Sequence, residues 1–399
     1  MERLIEDLDQ TLLQRNAMTI VRMHFGRDPR LQRTEEARGQ GRLVRIGMPS
    51  TPGLESSYAE EPIRQWDWRQ ALRRRVLNQP LVWRCLVAPW VRRRRLRPRP
   101  GEMIGAGSAF RELTREFRFD LCLLHFFGGA DADEVIREAH RQNLPIALSN
   151  HFANDRFLHL AIRQHVLLAD RVAGVNGLQV PAFLQAGFVN LADGIDLDFF
   201  SPDHARPLVE PSSLPLLFLP ARVLRSKGHW DVVQCARRLH DRGLPVNVAF
   251  AGRADSNRFV AELRGEVDRL RLSAHVRFLG PRDPAQLRDW YHASAVTVFP
   301  TYHPEGLGRI TIESQAMGTP PVAYATSGVA EGIREGESGF LVRTGDVEAL
   351  SDRVEEILRD PDRRQRMAAA GRAFVARTYS LPAFAARHEA FYGSCFRPQ

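Results

Sequence analysis

FPTYHPEGLGRITIESQAMGTPPVA, Phe299–Ala323, sets two glutamates, Glu305 and Glu313, eight positions apart and crowds the first with Pro304, Gly306 and Gly308. The apolar run Ala295–Phe299 reads as a strand, Gly308–Met317 as a helix and Pro321–Ala323 as the next strand. Everything between Phe299 and Gly308 is then a loop at the carboxyl edge of a sheet. Gly306 and Gly308 let the backbone approach a ligand, and the free N–H groups of the helix start make an anion site. Glu305 stands just outside that site, where it can accept hydrogen bonds from hydroxyls. Glu313 lies about 12 Å further along the axis at 1.5 Å per residue. Two acceptors bracketing an anion site suit an anion with a polyhydroxyl group at each end, the form of a nucleoside diphosphate sugar. The spacing alone fits equally a helix with one acidic cap and one solvated glutamate.

The same grammar extends in both directions. Strands are expected at Leu216–Leu219, Val246–Ala251 and Val276–Leu279, separated by helices at Trp230–Asp241, Arg258–Arg271 and Ala285–His292; a helix at Ala330–Glu335 and a helical region from Val347 follow. Upstream, Phe119–His125, Pro145–Ser149, Arg171–Val175 and Val189–Ala192 read as strands. Asp133–Gln142, Ile162–Ala169 and Leu178–Ala186 read as helices. Strands apolar throughout, alternating with helices, imply parallel sheets covered on both faces. The expected organisation is a helical extension over 1–42, where Leu4, Ile5, Leu8, Leu12 and Leu13 recur near a helical period. A Rossmann-like domain over 43–205 follows, opening with a strand at Leu43–Met48, then a second over 206–380, and a C-terminal helix over 381–399 packing back toward the first. Ligands bind at the carboxyl ends of such strands.

A chain of 399 residues suits two domains of ordinary size, and 44% hydrophobic with 26% charged residues is the composition of a globular protein. The four cysteines, Cys85, Cys122, Cys235 and Cys395, have no metal-ligand spacing and read as reduced structural thiols, which fits the cytoplasm. The start, MERLIEDLDQ, lacks the apolar core of a secretory signal, and no run approaches the roughly 18 apolar residues that span a bilayer. A net charge of +9 points to a negatively charged partner.

PARVLRSKGHWDVV (220–233) also follows a strand and opens a helix. It sets Arg222 and Lys227 on a strand-to-helix loop, with Gly228 permitting the tight turn; two fixed cations there can neutralise a diphosphate, or can simply be solvated. With this loop the sequence resembles the retaining glycosyltransferases of the GT-B fold, in particular glycosyltransferase family 4 (glycosyl transferases group 1). ADGIDLDFFSP (192–202) is similar to the family's N-G-V-D-x-x-x-F-x-P, with Asp193 in place of Asn, and PARVLRSKG to its G-R-L-x-x-x-K-G. AFAGRA (249–254) resembles a strand that ends in Gly, without the second Gly. VRFLGPRDPAQLRDWYHASAVTVFPT and PEGLGRITIESQAMGTPPVA resemble the approach to the signature and the signature itself. GVAEGIREGESGFLV resembles the turn and hairpin that follow. The resemblance is strong over roughly 190–380 and faint before 115.

The resemblance implies an α/β protein of GT-B type, two Rossmann-like doubly wound domains facing across a cleft, that moves a sugar from a nucleoside diphosphate donor to an acceptor hydroxyl with retention. It implies that Glu305 contacts the donor sugar and that Gly306, Leu307 and Gly308 offer backbone N–H groups to sugar and phosphate. Arg222 and Lys227 would hold the diphosphate, Glu313 would bind the ribose, and Leu279 with Gly280 would lie near the base. A first-domain histidine matches His151, in ALSNHFAND, with His125 as its rival. No metal is implied for the chemistry and no cofactor beyond the sugar nucleotide. The acceptor expected is a growing cell-surface glycan or glycolipid. A sugar-nucleotide epimerase or phosphorylase of the same fold is the alternative among enzymes. A non-catalytic nucleic-acid-binding or scaffold protein on a degenerate transferase fold is the alternative outside them, and the intact pair Glu305 and Glu313 argues against it.

Two D-x-D strings, Asp131–Ala132–Asp133 at a helix start and Asp196–Leu197–Asp198 in the link, read as structural caps and turns rather than metal ligands. The segment 64–99 holds twelve arginines and a single acid, Asp67, interleaved with Trp66, Trp68, Trp83 and Trp90. That composition suits an interfacial segment on anionic lipid, a nucleic-acid backbone, or a solvated basic face. The resemblance favours a lipid-linked acceptor over nucleic acid, with the protein peripheral on the cytoplasmic face of the inner membrane.

Overall fold

The computed structural model describes residues 19–26, 33–38, 41–49, 110–111, 114–115, 118–125, 130–150, 166, 168–178, 180, 187–208 and 213–395. The basic segment 64–99 and His151 lie outside the described residues, as do most of the helices expected over 162–169 and 178–186.

Three strands open the described chain: β1 (Thr19–Gly26), β2 (Arg33–Arg38) and β3 (Gly41–Pro49), in the order β1-β3-β2. β1 runs parallel to β3 and β2 antiparallel to it. The helix expected over 1–42 is therefore corrected from Thr19 onward. The leucines with helical spacing all precede Thr19, and the β-branched run Thr19, Ile20, Val21 favours a pleated strand.

A four-stranded parallel sheet follows, β4 (Cys122–His125), β5 (Ile146–Asn150), β6 (Arg171–Gly174) and β7 (Phe188–Asn190), in sequential order. The helix Ala130–Arg141 joins β4 to β5. Its Glu138 is buried, accepts from Arg111 and Arg141, and is held at about 2 chiefly by the Arg111 hydrogen bond.

The third sheet has six strands: β8 (Leu216–Leu219), β9 (Asn247–Ala251), β10 (Val276–Gly280), β11 (Val296–Phe299), β12 (Pro321–Tyr324) and β13 (Phe340–Val342). All neighbours are parallel, in the order β10-β9-β8-β11-β12-β13. That is the doubly wound order 3-2-1-4-5-6, whose direction reverses between β8 and β11. The apolar runs follow from burial on both faces. Leu217, Leu219, Val248 and Phe250 join one cluster, with Val232, Val233 and Ile357 of the helices His229–Asp241 and Val347–Arg359. Phe218, Ala249 and Ala251 join the other, with Tyr291 of the helix Pro284–Ala293 and Met317.

Two details differ from expectation. The helix foreseen at Ala330–Glu335 is instead a short 3₁₀ turn, Ser327–Gly332. A Cβ on Gly328 would lie 1.7 Å from the Gly306 carbonyl oxygen, so this turn is shaped by direct backbone contact with the signature loop. Phe340–Val342, foreseen as part of a hairpin, pairs in parallel with β12 as the edge strand.

The chain divides into two compact units, Met1–Ala192 with Ala385–Gln399, and Asp193–Phe384. The passages fall at 192/193 and 384/385 rather than at 205/206 and 380/381. The reason is local: Ile195 N donates to Tyr379 O at 2.7 Å, and Gly194 is pressed so close to Phe384 that a Cβ would sit 2.9 Å from its ring. The link that begins at Asp193 thus belongs to the second unit.

Candidate active site

The reversal between β8 and β11 brings together two loops about eighty positions apart in sequence, at the carboxyl edge where such sheets take ligands. The loop after β8 carries Arg222 and Lys227, and the loop after β11 carries Glu305 to Gly308. Their contact is tight. Tyr302 N donates to Ser226 O at 2.8 Å, and Thr301 Oγ1 donates to the same oxygen at 3.3 Å. Gly228 has φ +74°, and a Cβ there would lie 2.1 Å from the Pro300 carbonyl oxygen. Only glycine gives both that backbone and that approach.

Lys227 Nζ donates to Glu305 Oε1, with the lysine 14% and the carboxylate 23% exposed. The two residues sequence reasoning set in one site are therefore a direct ion pair. Leu307 is buried and anchors the loop, while the neighbouring Gly328 N donates to Glu305 O at 3.3 Å. The helix Arg309–Ala316 starts at Gly308, φ +69°, which supplies no side chain to the first-turn N–H groups. Thr311 N turns back to Gly308 O at 2.9 Å, and a helix start without a side-chain cap is a place that suits an anion.

Arg222 is placed differently from Lys227. Its Nη1 donates to Asp255 Oδ2 at 2.8 Å, and its side chain is nearly half exposed. The loops after β8 and β9 are zipped here: Val223 N donates to Arg253 O at 2.9 Å. Asp255 thus gives Arg222 an anionic partner that the sequence reading did not foresee.

Glu313 is engaged on both oxygens. Tyr291 Oη donates to Oε2 at 3.0 Å and Arg309 Nε donates to Oε1 at 3.3 Å. Leu279 and Gly280 end β10; Leu279 is partly buried against Phe218 and Tyr291, and Gly280, φ +69°, has open space where a Cβ would point. His125 closes β4 opposite Ser149 in the first unit.

A further cluster lies behind the signature loop. Tyr302 Oη and Tyr324 Oη both donate to Asp231 Oδ2, at 2.7 and 2.6 Å. Burial first, then the Asp231 carboxylate, pushes Tyr302 up to about 12 and Tyr324 well above its ordinary value. Tyr302 nevertheless keeps 43% of its surface exposed. The only sequence signal for this cluster was an acid in the first turn of a helix, a favourable place by dipole alone.

The two D-x-D strings have structural positions. Asp131 and Asp133 fall in the first turn of the helix Ala130–Arg141. Asp196 Oδ1 accepts from the backbone N–H groups of Asp198 and Phe199, both at 3.0 Å, which closes a turn. Among the described residues, no three histidine, cysteine or acidic side chains converge as a metal site.

Residues 201–374 match the family model described as glycosyl transferases group 1. A curated relative, the D-inositol 3-phosphate glycosyltransferase of Corynebacterium urealyticum, is 33% identical over 189 residues, 44% of each chain. The chain spans about half the length of the curated relatives it matches. Among solved structures, sucrose-phosphate synthase from Thermosynechococcus elongatus superimposes with a TM-score of 0.64 at 18% identity, covering 98% of this chain and 92% of its own. Anabaena Alr3699/HepE in complex with UDP-glucose does so at 0.58 and 18% identity, covering 79% and 84%. The fold is accordingly the GT-B class, with a Rossmann-like sheet in each unit.

Proposed function

With residues 201–374 carrying a group 1 glycosyl transferase domain, we propose that the chain moves a sugar from a nucleoside diphosphate donor to an acceptor hydroxyl, with retention at the anomeric carbon. The observation that carries the reading is the pairing of Lys227 with Glu305 beside the uncapped helix start at Gly308. A diphosphate seated on the helix start exchanges its water for N–H groups and for Lys227, and the developing charge of the leaving group is met by donors already in place. Glu305 is then released toward the sugar hydroxyls. The UDP-glucose held by a protein of the same fold supports a nucleotide-sugar donor.

Arg222 and Lys227 of the loop after β8, with the helix start at Gly308, supply the positive charge at the diphosphate, so turnover continues in excess chelator. The acceptor is a glycan or a lipid-linked glycan, and the arginine-rich segment 64–99 holds the protein to anionic membrane at the cytoplasmic face.

The test is a melting-temperature screen with UDP-, GDP- and ADP-sugars, since a ligand that binds only the folded chain raises its stability. One of them raises the midpoint by several degrees, and Lys227→Ala removes the shift. In turnover, free nucleoside diphosphate is released only when an acceptor is present, which separates transfer from epimerisation. A chain stabilised by no nucleotide sugar overturns the reading. Loss of activity in chelator, restored by magnesium, overturns its metal-free form. For the membrane, Arg92, Arg93, Arg94 and Arg95 changed together to Ser lower co-sedimentation with anionic vesicles; equal sedimentation of both proteins removes that role.

A further inference from the structure

Glu313 is the carboxylate to which the preceding reading gives the donor ribose, and the following argument rests on that reading. Its two partners come from different elements. Tyr291, from the helix Pro284–Ala293, is wholly buried and stands edge-on to Phe218, with ring centroids 5.3 Å apart. Burial, then the Glu313 charge, holds its phenol far above the ordinary value, so it remains a proton donor. Arg309 donates through Nε to Glu313 and through Nη1 to Gly194 O at 3.0 Å, so its guanidinium is fixed at two points.

Arg309 does little for its own helix. A cation in the first turn opposes the helix dipole. An arginine four positions ahead of a glutamate is the weaker order for such a pair, and a guanidinium 36% exposed gains little from it. What the geometry serves is the carboxylate. An ionised carboxylate has about four lone-pair sites over two oxygens. Tyr291 takes one on Oε2 and Arg309 one on Oε1, so each oxygen keeps capacity for one further donor. Two donors, one to each oxygen, are what a vicinal diol presents.

We propose that Tyr291 and Arg309 are positioning residues that make Glu313 a reader of the ribose 2′-hydroxyl: they hold the carboxylate so that both oxygens accept from the 2′,3′-diol together, and a 2′-deoxyribose leaves one oxygen unmatched. Specificity of this kind arises when a site built for a hydroxyl meets an analogue that lacks it.

The experiment is calorimetric titration of the full chain with UDP, ADP and GDP and with their 2′-deoxy forms, in the wild type, Tyr291→Phe, Arg309→Leu and Arg309→Lys. In the wild type the preferred nucleotide binds about tenfold or more tighter in its ribose form, the effect of a hydrogen bond to a charged acceptor. Each variant narrows that ratio to about threefold or less, mostly by weakening the ribose form. Arg309→Lys behaves as Arg309→Leu does, because it keeps the charge and loses the planar Nε–H. A purely structural contribution weakens both forms alike and leaves the ratio unchanged. Variants that retain the wild-type ratio overturn the positioning role while nucleotide binding stands. A wild type that binds both forms equally overturns it too. A wild type that binds no nucleoside diphosphate removes the donor reading and this inference together.

Discussion

One carboxylate oxygen of Asp231 takes the hydroxyl hydrogens of two tyrosines, Tyr302 in the loop after β11 and Tyr324 at the end of β12. Tyr324 is buried, so removing its acceptor strands a phenol away from water. Asp231→Ala should lower stability by about 2–4 kcal/mol, and Tyr302→Phe by about 1 kcal/mol, since the second loses a donor and leaves Asp231 one partner. Urea midpoints for the two variants check the order; equal losses would mean the shared acceptor is unimportant. His229 makes a second case. It is buried against Phe250, and burial holds it at about 4, below the ordinary 6.5. The folded chain therefore favours the neutral ring, and the unfolded chain takes up the proton first. Stability from this residue is complete above pH 6.5 and is lost as pH falls toward 4, by about 3 kcal/mol in all. His275, also held below its ordinary value by burial and then by His240, adds slope of the same sign. Melting temperatures at pH 7 and pH 5 should differ clearly in the wild type, and His229→Leu should remove most of the difference; an unchanged slope assigns it elsewhere.

Among elements, the tight crossing of the loops after β8 and β11 is the most sensitive to a single methyl group. Gly228→Ala adds left-handed strain and drives a Cβ into the Pro300 carbonyl. Gly243 has a similar φ, +71°, but open space around it, so Gly243→Ala carries the strain alone, about 1–2 kcal/mol. Chemical denaturation of both should show Gly228→Ala costing markedly more, with its nucleotide-sugar binding lost as the loops part. Comparable costs would show that the crossing yields. The elements of this region were legible because β8, β9 and β11 are buried on both faces and hence apolar throughout, and because Lys227 and Glu305 lie on strand-to-helix loops whose partners the strand order fixes. What could not be read has equally physical causes. Arg222 pairs with Asp255 through the zipping of two loops, a contact that no local spacing encodes. The strand at Thr19–Gly26 was hidden by leucines just before it, whose period speaks only for their own residues. The turn Ser327–Gly332 fails to become a regular helix because the backbone of Gly306 occupies the space beside Gly328.

For the whole molecule, the +9 charge and the apolar strands could be read in advance, whereas the positions where the chain passes between its units depended on side chains far apart in sequence. Arg387 donates to Leu191 O at 2.6 Å and to Ala192 O at 3.0 Å, and Phe391 and Cys395 pack with Ala147, Ala173 and Leu191. A chain ended at Phe384 should therefore lose cooperative unfolding of the first unit, seen as an early melting transition in calorimetry; a single transition at the wild-type temperature would show that the last helix contributes nothing there. This arrangement has a consequence for how the protein is made. The first unit leaves the ribosome lacking its closing helix, and all of Asp193–Phe384 must be synthesised before Ala385 emerges. At about 5–20 residues per second that is a wait of roughly ten to forty seconds, during which the strands around Ala147 and Ala173 are uncovered. The first unit is thus made before the second yet closes after it, and it is the unit that nascent-chain chaperones should be found holding.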